Sequence, residues 1–220
     1  YDLQEIEKRV SDKTKMIFLC NPNNPTGTLL PANELKDFCQ SLSKKTIVFS
    51  DEAYYDYITE PDYPSMTGLV REGYNVIVSK TFSKVYGLAG LRIGYLVARP
   101  DIARRLQDSL MANTNTLAIM AARQALADTD FYKFSLAQNE KCKSMIYKQL
   151  DQMNIEYIRS HTNFVFFRSG MPIDKLIGKM GAEGVQIGRP FPPLLDWARI
   201  STGKIEEVEA FNTGLKRVLT

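Results

Sequence analysis

The chain has 220 residues, of which 44% are apolar and 24% are charged, and its formal net charge is +3. These proportions lie near the average for globular domains, which excludes a wholly disordered or fibrous chain. So small a net charge gives no argument for a nucleic acid or an acidic membrane surface as partner, and no apolar run approaches the roughly 18 residues of a membrane helix.

The first hundred residues alternate helical patterns with short apolar runs. Leu3, Ile6 and Val10 share one face of an opening helix, and a second helix is predicted at 34–42. The apolar runs predict strands at 16–20, 47–49, 76–78 and 93–97. Strands separated by helices or long connections are typical of an α/β sheet covered on both faces. We therefore predict an α/β fold for this half.

After residue 100 the pattern changes to longer helices with fewer strands between them. The sequence predicts helices at 101–108, 117–127, 131–153, 173–180 and 206–219. Strands are predicted at 164–167, 185–187 and 199–201. This half is typical of a smaller α+β domain, and we place the boundary near residue 125.

Three of the predicted strands end in polar segments, at 21–27, 51–54 and 79–92. Ligands on open α/β sheets bind at the carboxyl ends of strands, so these segments are candidates for a site. Residues 21–27 hold two prolines and a glycine, which indicates a rigid turn presenting Asn24, although a plain surface loop has the same composition. Asp51 fits either a functional carboxylate or a helix N-cap.

The third segment gathers lysines, hydroxyl side chains and Arg92 between glycines. Hydroxyls, backbone N–H groups and a guanidinium together form an anion cradle, and the alternative is a solvated basic turn. The spacing excludes a P-loop and a nicotinamide fingerprint. Taken together, a carboxylate, an amide, a phenol, a lysine and an anion cradle are the groups that a pyridoxal phosphate site requires.

The sequence resembles the class I/II, fold-type I pyridoxal phosphate-dependent aminotransferases, and within them the histidinol-phosphate aminotransferase group. The motifs that carry the resemblance lie at 21–27, 51–54, 83–95 and 198–201, in the order of the family. The resemblance spans nearly the whole chain. It implies that residues 1–125 are the C-terminal part of a large cofactor-binding domain, with a mostly parallel sheet and helices on both faces, and that residues 126–220 form a small C-terminal α+β domain.

The resemblance implies a role for each residue that matches a family motif. Lys84 forms the Schiff base with pyridoxal phosphate and moves the proton as base and acid, and Asp51 pairs with the pyridine nitrogen. Arg199 holds the substrate carboxylate through paired hydrogen bonds. The ring oxygen of the cofactor is bound by Asn24 and Tyr54, and Asn24 also contacts the substrate. The cofactor phosphate is bound by Thr81, Ser83 and Arg92.

Four nearby residues are interpreted differently. Lys80 does not match the family's lysine, so it is the weaker rival to Lys84. Arg189 either binds a substrate phosphate or has a helix-capping or surface role, because the loop 190–196 departs from the pattern expected there. His161, the single histidine, is expected to be structural or exposed, and Trp197 to pack beside Arg199.

The leading hypothesis is transfer of an amino group between an amino acid or amino-alcohol phosphate and a 2-oxo acid, in a cytoplasmic homodimer. The three cysteines, odd in number and far apart, fit reduced thiols in that compartment. A decarboxylase or lyase of the same fold keeps the cofactor and changes the reaction. A non-catalytic regulatory domain, joined to a DNA-binding segment, is the alternative of another class.

Members of this family run well beyond 220 residues, and the chain begins at Tyr1 on a helical pattern. We therefore expect it to be the C-terminal part of a longer protein. Strands of the sheet would then be absent, which exposes apolar surface. The isolated chain is accordingly expected to be poorly soluble or inactive.

Overall fold

The computed structural model describes residues 1–219. They divide into two compact units: the first unit holds Tyr1–Asn23 and Leu29–Thr129, and the second holds Asn24–Thr28 and the chain from Asp130 onward. The short segment Asn24–Thr28 thus packs with the second unit, although it lies in sequence between elements of the first. The assignment of these units to a large and a small aminotransferase domain stays a prediction.

The first unit alternates strands and helices, as the apolar runs predict. Its elements are α1 Leu3–Lys8, β1 Met16–Cys20, α2 Ala32–Leu42, β2 Ile47–Asp51, α3 Thr67–Arg71, β3 Val76–Thr81, β4 Gly94–Val97, α4 Pro100–Asp108 and α5 Thr116–Ala127. Short 3-10 turns follow β2, at Tyr55–Tyr57, and precede β4, at Ala89–Leu91. The strands predicted for this half are confirmed.

The strands form one sheet in the order β1-β2-β3-β4. The first three run parallel, and β4 runs antiparallel to β3. Their register aligns Cys20 with Asp51 and Asp51 with Ser79. The carboxyl ends of the parallel strands therefore meet at one edge, which confirms the mostly parallel α/β sheet and places the polar segments side by side.

One face of this sheet forms the core of the first unit. Leu19, Val48 and Val78 are fully buried there. The α2 residues Leu35 and Leu42 lie seven positions apart, which is two helical turns, so they face the sheet together and are buried against it. On the opposite face the apolar side chains of β1 remain 46% to 56% exposed, at Met16 and Phe18.

The second unit is built from helices around a small antiparallel sheet. Its elements are α6 Thr129–Gln152, β5 Tyr157–Ile158, β6 Phe164–Arg168, α7 Ile173–Ala182, β7 Trp197–Ser201 and α8 Ile205–Leu219. The sheet has the order β5-β6-β7. Leu150, Phe167 and Phe211 meet in its core, so α6 and α8 pack against the buried strand β6.

The strand predicted at 185–187 was wrong. The N–H of Val185 donates to the carbonyl of Met180 at 2.9 Å, which closes the end of α7 and directs this group away from a strand partner. The N–H of Gly188 donates to the carbonyl of Arg199 at 2.9 Å, so the segment touches β7 without forming a ladder. Val185 and Ile187 are apolar because they pack on the core of the second unit.

The structure describes all three cysteine side chains. Among the described residues, Cys20, Cys39 and Cys142 form no disulfide. Burial, with the nearby charge of Glu52, raises the pKa of the Cys39 thiol to about 12, so this thiol stays protonated near neutral pH.

Within residues 1–219, each helix is too short or too polar to cross a membrane.

Truncating Leu150 tests the packing of α6 in the second unit. Leu150 is fully buried, so Leu150→Ala is expected to lower the free energy of unfolding by about 2–5 kcal/mol. The control is Lys148→Ala, at an exposed position of the same helix, with an expected change within about 0.5 kcal/mol. Trp197 is the only tryptophan, so its fluorescence during urea unfolding reports on this unit. Equal losses in the two variants contradict the packing.

Candidate active site

Asp51 lies at the carboxyl end of β2, and one of its carboxylate oxygens is held by two donors. Its Oδ1 accepts the backbone N–H of Ala53 at 3.1 Å and the hydroxyl of Ser79 at 2.9 Å. The contact to Ala53 closes a local turn, and the 3-10 turn that follows has Tyr54 as its N-cap. Asp51 is therefore not a helix N-cap. The sequence analysis did not identify Ser79 as its partner.

The loop after β3 carries Lys84 and two candidate phosphate ligands. Phe82 and Val85 are 5% and 1% exposed, so they anchor the loop in the core on either side of Ser83 and Lys84. The hydroxyl of Thr81 accepts the N–H of Ser83 at 3.0 Å. These anchors leave the Lys84 side chain only half-buried, at the surface of the first unit.

Lys84 and Tyr54 come together in space. The Nζ of Lys84 lies 5.1 Å from the centroid of the Tyr54 ring, which is 6% exposed. The two residues come from different strand ends, and the sheet register brings them to the same edge. Within the first unit the structure therefore groups Asp51, Tyr54, Thr81, Ser83 and Lys84 at the carboxyl ends of β2 and β3.

Arg92 occupies a left-handed backbone conformation with φ of 52°, directly after the 3-10 turn Ala89–Leu91 and two residues before β4 begins. Such a conformation costs a non-glycine residue about 1 kcal/mol or more. Its Nη1 donates to the carbonyl of Ala89 at 2.8 Å, and its side chain is exposed. A guanidinium has five N–H donors, so this single contact leaves donors for an anion.

Gly94 lets β4 approach β3 closely beside this arginine. A Cβ at Gly94 would lie 2.6 Å from the carbonyl oxygen of Lys80, which is closer than real Cβ atoms come. The absence of a side chain at Gly94 therefore permits the antiparallel pairing that starts at Thr81.

Lys80, the rival lysine, is engaged in a buried ion pair. Its Nζ lies 2.7 Å from Oε2 of Glu52 and 3.7 Å from the centroid of the Tyr55 ring. Glu52 is 3% exposed and also accepts the hydroxyl of Ser65 and the N–H of Met66, each at 2.7 Å. Successive strand residues point to opposite faces, so Lys80 and Ser79 project to opposite sides of β3.

Asn21 anchors the start of the 21–27 turn within the first unit. It is 3% exposed, its side-chain amide donates to the Tyr63 hydroxyl at 2.8 Å, and its Oδ1 accepts the N–H of Leu30 at 2.9 Å. The Tyr63 hydroxyl donates to the carbonyl of Leu30 at 2.7 Å, and burial raises the pKa of this phenol to about 12. This network closes the base of the turn.

In the second unit, Arg199 contacts the motif residue Asn24. Its Nη1 donates to Oδ1 of Asn24 at 2.7 Å, across 175 positions of sequence. The guanidinium carbon of Arg199 lies 5.0 Å from the ring centroids of both Phe164 and Phe191. The amide and the two rings restrict the orientation of the guanidinium plane.

The segment Asn24–Thr28 is held in the second unit through Gly27. Gly27 has φ of 73°, and a Cβ there would overlap the Ser160 hydroxyl. The N–H of His161 donates to the carbonyl of Gly27 at 2.9 Å. The structural or exposed role expected of the His161 side chain stays a prediction. Ser160 is fixed in turn by the ammonium of Lys143, which is 4% exposed and donates to its carbonyl at 2.8 Å.

Arg189 lines a pocket of about 300 Å³ together with Asn24, Thr26 and Phe191. Its guanidinium carbon lies 4.5 Å from the centroid of the Phe191 ring, and its Nη1 donates to the carbonyl of Pro190 at 3.1 Å. Phe191 thus contacts the guanidinium groups of both Arg189 and Arg199. The sequence analysis did not select Phe191, because a Pro-Phe-Pro-Pro run gives no indication of its ring contacts.

Trp197 has a packing role, since its ring stacks on Phe166 with centroids 5.1 Å apart. The expected contact with Arg199 stays a prediction.

Comparison with known proteins decides the family. The family model described as aminotransferase class I and II matches residues 1–214. This chain belongs to the class I and II aminotransferase family. The match covers both units, so the resemblance inferred from the motifs is confirmed.

Individual relatives agree with this membership. The chain is 39% identical over its whole length to histidinol-phosphate aminotransferase 2 of Methylococcus capsulatus, of which it covers 60%. Its structure is similar to that of the Sinorhizobium meliloti histidinol-phosphate aminotransferase in complex with pyridoxal-5'-phosphate, with a TM-score of 0.88 and 28% identity over 99% of this chain and 60% of that one. The chain therefore spans about 60% of the length of these relatives.

A structure named for another activity is also similar. The L-threonine-O-3-phosphate decarboxylase of Porphyromonas gingivalis matches with a TM-score of 0.81 and 25% identity, over 100% of this chain and 69% of that one.

A double-mutant cycle on Glu52 and Lys80 tests the buried ion pair. Lys80→Met leaves the buried Glu52 carboxylate without its partner, so it is expected to lower the free energy of unfolding by roughly 3–5 kcal/mol. Glu52→Gln leaves the half-buried Lys80 ammonium without its partner and is expected to cost less. The double variant is expected to lose at least about 1 kcal/mol less than the sum of the two single variants. Urea unfolding followed by circular dichroism measures all four proteins.

The control is the same cycle on Glu5 and Lys8, which also lie 2.7 Å apart but whose side chains are 50% and 68% exposed. Its coupling energy is expected to stay below about 0.5 kcal/mol, because solvent screens an exposed pair. Strict additivity at Glu52 and Lys80 would show that the pair does not act as a unit.

Proposed function

We propose that this chain carries cofactor- and substrate-binding residues of a pyridoxal phosphate-dependent aminotransferase. The observation that supports it most is the grouping of Asp51, Tyr54 and Lys84 at the carboxyl edge of one sheet, with the Lys84 ammonium 5.1 Å from the Tyr54 ring. Family membership and the similar Sinorhizobium meliloti structure, which contains pyridoxal-5'-phosphate, agree with this chemistry.

The donor set at this edge fits pyridoxal phosphate. Asp51 offers a carboxylate whose Oδ1 is fixed by two donors, which suits pairing with a protonated ring nitrogen. Thr81 and Ser83 offer hydroxyls, and Arg92 offers an exposed guanidinium, which are the groups that bind a phosphate. Tyr54 completes the set as the proposed partner of the ring oxygen. Lys84 is the half-buried amine of the loop after β3.

When bound, pyridoxal phosphate supplies an electron-withdrawing ring that stabilises negative charge at the α-carbon of the substrate. Lys84 would hold the cofactor through its aldehyde, and its amine would take the proton from the substrate α-carbon as base and deliver it to the aldehyde carbon as acid. Asp51 keeps the ring nitrogen protonated, which preserves the electron-withdrawing character. Tyr54 donates its hydroxyl toward the ring oxygen, and Thr81, Ser83 and Arg92 neutralise the phosphate.

The residues of the second unit supply substrate recognition in this proposal. Arg199 binds the carboxylate of an amino acid or 2-oxo acid, since its guanidinium is oriented by Asn24 and by the rings of Phe164 and Phe191. Arg189 binds a second anion in this proposal, the phosphate group of an amino-alcohol phosphate. Its position in the same pocket as Asn24 supports this role. The two substrates are therefore a 2-oxo acid and a phosphate-bearing amine.

The first unit then corresponds to the C-terminal part of a large cofactor-binding domain and the second to a small domain. The predicted homodimer belongs to the same proposal. Sedimentation of the protein from the native gene measures its oligomeric state.

A decarboxylase is the second candidate, because the similar Porphyromonas gingivalis structure is that of an L-threonine-O-3-phosphate decarboxylase. A carboxylate held by Arg199 through transfer is retained in the product, which favours amino transfer. Carbon dioxide release and 2-oxo acid formation, measured on the same phosphate-bearing amino acid, separate the two reactions.

Borohydride reduction identifies the cofactor lysine. Protein from the native gene, incubated with pyridoxal phosphate and reduced, is expected to gain one phosphopyridoxyl group on the peptide that contains Lys84. Lys84→Ala is expected to lose this label and to lower the transamination rate roughly 10²–10⁴-fold, because the same amine moves the proton. Intact mass and peptide mapping give the stoichiometry and the position.

Lys80→Met is the matched control, since this lysine lies four residues earlier, within β3, and pairs with Glu52. It is expected to keep the label on Lys84. A label on Lys80, or an unlabelled wild-type protein, contradicts the assignment of Lys84.

Arg189→Gln tests the substrate class. The variant is expected to raise the KM for a phosphate-bearing amine at least about tenfold, because a charge-assisted hydrogen bond is lost, and to leave the KM for the 2-oxo acid within about twofold. Steady-state kinetics with each substrate varied in turn measures the two constants. The companion variant Arg199→Gln is expected to raise the KM for the 2-oxo acid, and an equal effect of Arg189→Gln on both substrates would refute a phosphate-specific role.

A further inference from the structure

Ser79 contacts the carboxylate that the proposed function places at the cofactor nitrogen. Ser79 and Asp51 are direct cross-strand partners in the parallel register of β2 and β3. Neighbouring residues of this kind share one face of the sheet, and the Ser79 hydroxyl reaches Oδ1 of Asp51 at 2.9 Å. Both side chains are half-buried, so the contact lies at the surface of the sheet edge rather than in the core.

The two donors to Asp51 act on the same oxygen. Oδ1 accepts the Ser79 hydroxyl and the Ala53 N–H, which come from different segments of the chain. A carboxylate held from two directions at one oxygen has its χ1 and χ2 angles fixed, and its second oxygen then points in one direction. Without the hydroxyl, the remaining contact is a turn within Asp51–Ala53 that leaves the carboxylate plane less restricted.

We propose that Ser79 is a positioning residue for the cofactor-binding carboxylate: its hydroxyl holds Oδ1 of Asp51 and thereby aims Oδ2 at the ring nitrogen of pyridoxal phosphate. This inference rests on the proposed function, because it concerns the same site. Ser79 itself contacts neither cofactor nor substrate in this proposal, and it acts through Asp51 alone.

Ser50 offers a matched comparison one residue before Asp51. It lies on the same strand, is 1% exposed, and projects to the opposite face of the sheet. Its hydroxyl has no hydrogen-bond partner among residues 1–219. Removing a buried hydroxyl that makes no hydrogen bond leaves stability nearly unchanged or improves it. A Ser→Ala change at Ser50 therefore perturbs the sheet as Ser79→Ala does, without touching the Asp51 carboxylate.

The test compares Ser79→Ala, Ser79→Thr and Ser50→Ala in the protein from the native gene. Pyridoxal phosphate binding is measured as a dissociation constant, and the visible absorbance of the bound cofactor is recorded against pH. Ser79→Ala is expected to weaken binding about tenfold, the effect of one hydrogen bond to a charged group, and to shift the pH midpoint of the absorbance. Ser79→Thr keeps the hydroxyl and is expected to restore both, and Ser50→Ala is expected to match the wild type.

Each outcome decides the inference. Unchanged binding and absorbance in Ser79→Ala, beside a wild type that binds the cofactor, overturns the role of Ser79 and leaves the proposed function standing. Equal losses in Ser79→Ala and Ser50→Ala also overturn it, because the effect then belongs to the sheet. A wild type that binds no pyridoxal phosphate overturns both proposals. Thermal unfolding of the three variants confirms that they are folded.

Discussion

The parallel register of β1, β2 and β3 is the constraint on which the first unit depends. Hydrogen bonding between parallel strands fixes which residues are neighbours, and here it aligns Cys20, Asp51 and Ser79 across the sheet. The polar segments that follow these strands therefore emerge at one edge. Slipping a strand by one residue would send Asp51 to the opposite face, where Ser50 is buried in the core. The register therefore keeps Ser50 in the core and Asp51 at the candidate site.

The two lysines near this edge show how the fold separates similar groups. Lys80 lies within β3, and its ammonium is held by the buried carboxylate of Glu52 and by the Tyr55 ring. Lys84 lies beyond the strand, in a loop anchored by Phe82 and Val85. These two contacts engage the Lys80 ammonium within the first unit. The half-buried lysine is the better candidate for chemistry at an aldehyde.

The second unit builds its own recognition surface around Phe191. The ring lies 4.5 Å from the Arg189 guanidinium carbon and 5.0 Å from that of Arg199, and Asn24 binds Arg199 directly. Asn24 is available to this unit because Gly27 lies against Ser160, where no Cβ has room. Gly27, which lies in sequence between β1 and α2 of the first unit, therefore allows Asn24 to contact Arg199 in the second unit.

The sequence alone determined the alternation of strands and helices, the family and the candidate residues, because apolar periodicity and motif order are local properties of the chain. It misjudged 185–187, where apolar residues pack on the core without strand hydrogen bonds. Only the tertiary structure decided that Ser79 binds Asp51, that Lys80 pairs with Glu52, and that Phe191 contacts two arginines. The partners of Ser79 and Lys80 lie 28 positions away in sequence, and those of Phe191 lie 2 and 8 positions away. Strand register and loop path, rather than local pattern, bring these groups within contact.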